Sequence, residues 1–347
     1  MLPLEEILKI KSKETLSFPN GDDSYFERYE QIKKYLTTNI YKYIGAGTSA
    51  EDQGVYTDHS IDHFNEVILF AGKLLGINES KKVNEYEENL NLSPYEIYIT
   101  LVSILLHDAG NILGRKDHEK KTFQIFMDMG SAICSDKFEA KPIASIAEVH
   151  GGKIELSDGS FSKDTISKLN KTDTYHSITF RPKLIAALVR FADEICESRN
   201  RAARFLMIQN ALPDWSQVYH QYAESISSVI VDTSGECINL KFEITKSNLL
   251  KKYGKGSKED IEHVYLIDEI FSRLEKMYYE LHYCRRFMIG TVNIHKIRAN
   301  IIIYDDNMDI IENKPIELEE QGYPSGLTCL KTKHSEWSGE LMHDKYK

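Results

Sequence analysis

Five cysteines in 347 residues, Cys134, Cys196, Cys237, Cys284 and Cys329, are odd in number and form no CxxC pair. Neither a disulfide framework nor a zinc ribbon is implied, and a reduced cytosol is the expected compartment. No apolar run is read as approaching the roughly 20 residues that span a bilayer, so no membrane partner is expected. The opening Met1-Leu2-Pro3-Leu4-Glu5-Glu6 lacks a basic segment followed by an apolar one, so no secretory leader is expected. Positive charge is short as well: 43 Lys and Arg face 53 Asp and Glu, a net charge of −10. That balance argues against a broadly basic nucleic-acid binder, though a local basic pocket for one nucleotide is compatible with it. Internal repeats and low-complexity segments are absent.

The hydrophobic fraction of 41% and charged fraction of 28% are those of an ordinary globular protein, and the length allows more than one domain. Residues 1–50 read as a polar helical extension. Tyr25, Phe26, Tyr29, Ile32 and Tyr35 form one apolar face expected to pack on the main core. Residues 45–54 read as a connector. From 51 to 215 the pattern is a run of helices: 63–75, ended by Gly76; one opened by Ser93-Pro94; then 118–129, 140–149, 162–169 and 181–209. Residues 151–161, with three glycines, read as a loop. Beyond 215, segments 225–232 and 238–244 alternate with period two around Thr233-Ser234-Gly235-Glu236, a hairpin signal. A long helix over 258–287 and a strand over 297–304 follow. The expectation is a mainly α protein: an all-helical core with a smaller C-terminal α+β domain, 216–347, suited to oligomerisation or a regulatory partner.

The most informative residues are His107-Asp108, at the end of the apolar run Ile104-Leu105-Leu106. Burying an imidazole beside a carboxylate is costly unless something pairs with both, and a cation does. An Asp placed between two cations can bridge them through separate oxygens. Other ligand types stand elsewhere. His59 and His63 lie on one face of a helix start, where His63 leads into the apolar pattern. His59 is read as an orienting group, a proton donor, a phosphate contact or a polar cap. His118 and His150 each fall at a helix end, where a solvated face and a C-terminal cap are the plainer alternatives. Asp193 sits inside the apolar helix pattern Leu188-Val189-Arg190-Phe191-Ala192, where an ion pair with Arg190 is the alternative to a metal.

His63, His107-Asp108 and Asp193, in this order on successive helices, resemble the HD-domain superfamily of metal-dependent phosphohydrolases, whose fold is an all-helical core. His118 and His150 resemble the added ligands of its two-metal branch. The run from His107 through Gly114 is similar to deoxynucleoside triphosphate hydrolases, which carry a His where this chain has Asn111. The cyclic-dinucleotide phosphodiesterase branch usually has Lys there. The run from Phe191 through Ala202 is similar to bacterial HD proteins found beside defence or signalling genes.

The resemblance implies one or two divalent ions held by His63, His107, Asp108, His118, His150 and Asp193. This donor set favours Mn, Fe, Co, Ni or Zn, with Mg at an oxygen-rich position. Such an ion lowers the pKa of its water from about 15.7 towards 7, which suits attack on phosphorus. His59 or Glu66, three residues after His63, is a candidate to protonate the leaving group, with outer-shell orientation as the alternative for Glu66. Asn111, Arg115, Lys116, Lys153, Arg190, Arg199 and Arg201 are candidate substrate contacts, each with a solvated surface charge or plain polar role as the commoner explanation. The leading expectation is hydrolysis of a deoxynucleoside triphosphate or related phosphoester or anhydride. The alternatives are a cyclic nucleotide phosphodiesterase, a nucleotide-sensing module without turnover, and a di-iron oxygenase.

Overall fold

A computed structural model describes residues 1–22, 24–44, 57–77, 90–114, 117–131, 133, 136–319 and 329–347. Residues 45–54, Arg115, Lys116 and Cys134 lie outside the described residues. The protein is mainly α. Its chain forms two compact units, each drawn from separate stretches of sequence. Residues Met1–Ile44 and His59–Asp193 group with Cys284–Asn293, while Glu194–Tyr283 group with Ile294–Lys347.

The first unit is built on helices α1 (Pro3–Lys11), α2 (Tyr25–Asn39), α3 (Ile61–Leu74), α4 (Pro94–Leu106), α5 (Thr122–Asp128), α6 (Lys137–Glu148) and α7 (Pro182–Ile195), the last as far as Asp193. Helix α4 is its centre. Ser93 Oγ accepts from Glu96 N while a Glu96 carboxylate oxygen accepts from Ser93 N, a reciprocal cap with Pro94 at the first turn. From Tyr95 to Leu106 every side chain of α4 is buried, so the helix is enclosed on all sides, and most of its side chains are apolar. The stretch Pro94–Leu113 is therefore long and apolar enough to cross a membrane by length and composition, which corrects the expectation that no run is. Most of it is buried inside the protein, as in a core helix.

Two buried carboxylates tie the helices. Glu96 takes the Arg181 side chain through Nε and Nη2, each at 2.7 Å, joining the start of α7 to the start of α4. Glu139 of α6 accepts from the hydroxyls of Tyr25 (α2) and Tyr95 (α4), at 2.8 and 3.0 Å. The aromatic face of the N-terminal helix packs inward, with Tyr25, Phe26, Tyr29 and Ile32 buried and Tyr35 half-buried.

The unit is not all-helical as expected. Two small antiparallel hairpins separate α6 from α7: β1 (Ile154–Glu155) with β2 (Phe161–Ser162), and β3 (Asp173–Tyr175) with β4 (Ile178–Phe180). The helix expected over 162–169 is instead β2 and a single 3₁₀ turn, Ile166–Lys168. Thr165 donates its hydroxyl to the Val149 carbonyl there, a local bond that competes with helix.

In the second unit, α8 (Arg204–Ile208), α9 (Gln217–Ser225) and α10 (Lys246–Leu249) accompany a four-stranded sheet. Its strands are β5 (Ile226–Asp232), β6 (Cys237–Thr245), β9 (Lys296–Tyr304) and β10 (Ile310–Glu319), in the order β10-β9-β6-β5. The expected hairpin is β5–β6, and the expected last strand is β9, which pairs parallel to β6. On β6, Ile238, Leu240, Phe242 and Ile244 are all buried, the period-two pattern of one packed face.

The long helix expected over 258–287 divides. Strand β7 (Lys252–Ser257) pairs with β8 (Asp260–Tyr265), and α11 (Leu266–Met288) begins only after them. Gly256 at φ +130° and the backbone approach at Gly254, where a Cβ would lie 2.1 Å from the Asp214 carbonyl oxygen, hold this hairpin. The apolar stripe Ile267, Ile270, Phe271, Leu274, Met277 and Leu281 of α11 is buried core. The helix expected over 181–209 stops at Ile195, because Ser198 is extended and Arg199–Arg201 form a 3₁₀ turn. Helices α12 (Leu330–Lys333) and α13 (Gly339–Tyr346) complete the described chain.

Candidate metal centre

Each expected ligand stands at or near the end of a helix of the first unit. His63 is on the first turn of α3, whose start is capped by Ser60 accepting from Asp62 N. His107 and Asp108 follow the last turn of α4 and lead into a 3₁₀ turn, Ala109–Leu113. His118 opens a second 3₁₀ turn, His150 follows α6, and Asp193 lies near the end of α7.

Two groups of ligand atoms form, each within 4.8 Å: His63, His107 and Asp108, and Asp108, His118 and His150. Asp193 adjoins the first, with Oδ1 3.4 Å from His63 Nε2 and 3.5 Å from His107 Nε2. Asp108 belongs to both through different oxygens. Its Oδ1 faces His118 Nε2 at 2.7 Å and His150 Nε2 at 3.4 Å, and its Oδ2 faces His107 Nε2 at 3.8 Å. Oδ2 also faces His59 Nε2 at 3.4 Å.

The imidazoles are pre-set for this. Nδ1–H of His107 donates to the Ile104 carbonyl and Nδ1–H of His150 donates to the Ala147 carbonyl, both at 2.7 Å. A carbonyl can only accept, so Nδ1 carries a proton in both rings, and Nε2 is the nitrogen that faces the centre. Behind His107, Phe64 packs edge-on at 5.2 Å and Tyr41 stacks on Phe64 at 4.1 Å. The Tyr41 hydroxyl donates to the Leu105 carbonyl, fixing the turn that delivers the ligand pair.

The field favours cations. Burial opposes charge on Asp108, yet His107, His118 and His150 hold its carboxyl well below the usual range. Burial likewise opposes charge on Asp193, and His107 and His63 hold it low. Burial disfavours an imidazolium at His107, but Asp193 and Asp108 raise its pKa to about 9. His107 Nε2 and Asp108 Oδ1 are buried and make no hydrogen bond of good geometry, despite ligand atoms close by. Nitrogen and oxygen donors converging this way fit first-row divalent ions, with Asp108 between them.

Two residues that sequence reasoning missed shape the second group. Glu119 places Oε2 3.3 Å from His118 Nδ1. Gly110 lets the two 3₁₀ turns touch, since a Cβ there would lie 2.0 Å from the His118 carbonyl oxygen. The first was visible only as a Glu next to His118, and the second as a Gly next to the ligand pair.

The expected substrate contacts fare differently. Asn111 stands half-buried on the 3₁₀ turn after Asp108, and Glu66 is half-buried on α3, one turn beyond His63; neither belongs to the two ligand groups. Lys153 is exposed. Arg190 is buried, and its Nη1 donates to Thr165 Oγ1 at 2.9 Å and to the Lys163 carbonyl at 3.2 Å. Through Nη1 the guanidinium fastens α7 to the segment before it. The Asp193 carboxylate lies against the imidazoles of His63 and His107. Arg199 and Arg201 lie in the second unit, paired with Glu224 and Glu243 and with Glu197.

The sequence model of the HD-CE family matches residues 54–276, well over half of the chain. The chain belongs to the HD-CE family. No curated protein and no solved structure matches it. The HD-CE match agrees with the HD-domain resemblance of the ligand order, and it extends past residue 215 into α11. An HD-type domain with this His and Asp cluster points to a metal-dependent hydrolase.

Proposed function

We propose that this HD-CE protein is a two-metal phosphohydrolase that cleaves a phosphoester or phosphoanhydride bond of a nucleotide, a deoxynucleoside triphosphate ranking first. The observation that carries the reading is Asp108, shared by two ligand groups through its two oxygens. His63, His107, Asp108 and Asp193 would hold one divalent ion, and Asp108, His118 and His150 the other. Bound there, such ions supply an activated water and offset charge on the phosphoryl group. The protein's own part is orientation. Ile104 and Ala147 carbonyls fix two imidazoles, Glu119 faces a third, and Phe64 and Tyr41 keep water from the back of His107. His59, buried and 3.4 Å from Asp108 Oδ2, is the best placed proton donor for a leaving group, ahead of Glu66.

The test is metal analysis of protein purified without chelators, followed by a nucleotide panel in Mn, Co and Mg. The reading expects released phosphate or pyrophosphate from at least one nucleotide. In Asp108→Ala both turnover and bound metal should vanish while the helical circular dichroism persists. Hydrolysis retained by that variant refutes the assignment.

A further inference from the structure

A cavity of about 1000 Å³ opens in the first unit, away from the metal ligands. Its walls are the start of α6, the end of the 3₁₀ turn Ile166–Lys168, and the β3–β4 hairpin. That volume is at the upper end of small-molecule sites. Helix α6 serves both places: Lys141 lines the cavity, and His150, beyond the far end of the helix, is a metal ligand. The two are separated by more than two turns, about 14 Å along the axis.

The lining combines two chemistries. Phe123, Phe138 and Tyr175 offer aromatic surface, and Phe138 is 83% exposed, an unusual cost for a phenyl ring that nothing covers. Lys137, Lys141 and Lys168 add three positive charges to a chain of net charge −10. Among the described residues none of the three has a carboxylate within ion-pair distance, and Lys141 instead lies 5.1 Å above the Phe123 ring. The two acids in the wall are already engaged. Asp136 accepts from Phe138 N at 2.7 Å and from the Tyr175 hydroxyl, and Asp173 accepts from Thr174 N at 2.8 Å.

Two backbone features add to this. Pro142 has no N–H, so it removes the helical donor to the Phe138 carbonyl and leaves an acceptor beside the aromatic wall. The β3–β4 turn places His176 at φ 42° and Ser177 at φ 68°, where hairpins normally use Asn and Gly. Holding both non-glycine residues there is unfavourable, and it sets the His176 ring at the cavity wall, edge-on to Tyr175 at 4.4 Å.

We infer that this cavity is a second ligand site, for a small molecule that carries an aromatic ring and a phosphate; a nucleoside triphosphate is the class to test. The ring lies against Phe138 and Tyr175, and the phosphates meet the lysines. The inference stands whether or not the metal centre hydrolyses nucleotides.

The test uses the full chain in EDTA, which empties the metal centre, and a ribose-labelled fluorescent ATP read by anisotropy. Saturable binding is expected in the wild type and unchanged in Asp108→Ala. The double variant Lys141→Glu, Lys168→Glu should weaken it at least about tenfold, and Phe138→Ser about tenfold, in line with the loss of one stacked base. These positions are exposed, so circular dichroism should be unaltered. Unlabelled ATP should displace the probe at least about tenfold better than adenosine or tripolyphosphate alone. Absence of saturable binding overturns the inference. So does binding that the lysine and Phe138 variants leave intact, or tripolyphosphate competing as well as ATP.

Discussion

The two halves of the metal centre are held by different means. His63 and His107 are buried to 1% and 0% exposure on long, capped helices, with aromatic rings packed behind them. The His118 side chain keeps 12% exposure on a four-residue 3₁₀ turn, and His150 hangs from the end of α6. The core positions the first half. Short-range devices position the second: the Gly110 contact, the Glu119 carboxylate and the Ala147 carbonyl. An ion bound by the first half therefore meets ligands fixed by core packing, whereas one bound by the second meets ligands fixed by contacts within and between short turns. Asp108 belongs to both halves, so they separate in affinity but not in chemistry.

The most damaging change should be at Asp108. Asp108→Asn keeps the shape and removes the shared charge, and turnover should fall at least about a thousandfold with both ions lost. Steady-state kinetics and metal stoichiometry check this. One ion retained at full occupancy would show that the halves do not share the carboxylate.

Gly110→Ala should separate the halves. The added methyl meets the His118 carbonyl, and overpacking of this kind costs about 1–3 kcal/mol. Thermal denaturation should show that loss, and the variant should keep the ion held by His63, His107 and Asp193 while losing the other. Two ions bound at wild-type affinity would contradict the role given to the turn.

The first half has its own pH signature when metal is stripped. The pKa of His107 rises from 6.5 to about 9, so its charged form stabilises the folded state fully below pH 6.5. That contribution is lost as pH rises through about 9. The melting temperature of chelator-treated protein should fall over this window, and His107→Gln should flatten the fall. A wild-type profile no steeper than that of the variant would remove the coupling of His107 to Asp108 and Asp193.

The smallest effect is expected at Glu119. Glu119→Gln should weaken the second ion about tenfold, as outer-shell partners typically do, and leave the first unchanged. A Mn titration resolves the two.

Much of this centre could be read before any coordinates, because each ligand stands at a helix end that carries its own signal. Ser93-Pro94 with Glu96 marks the helix leading to His107-Asp108, and the apolar pattern after His63 marks α3. Glu119 and Gly110 were not readable, since their roles are contacts across turns. The tie from Arg190 to Thr165 and the Lys163 carbonyl was not readable either, because both partners lie in a segment expected to be helical. The hairpins failed for a related reason. Strands of two to six residues, such as β3, β4 and β8, leave too few alternations to outweigh the helix pattern beside them.

The central claim is that Asp108 bridges two ions. Anomalous diffraction from crystals grown with Mn tests it directly. Two peaks about 3.5–4 Å apart are predicted, each bonded to a different Asp108 oxygen. A single peak, or two that do not share Asp108, would contradict it.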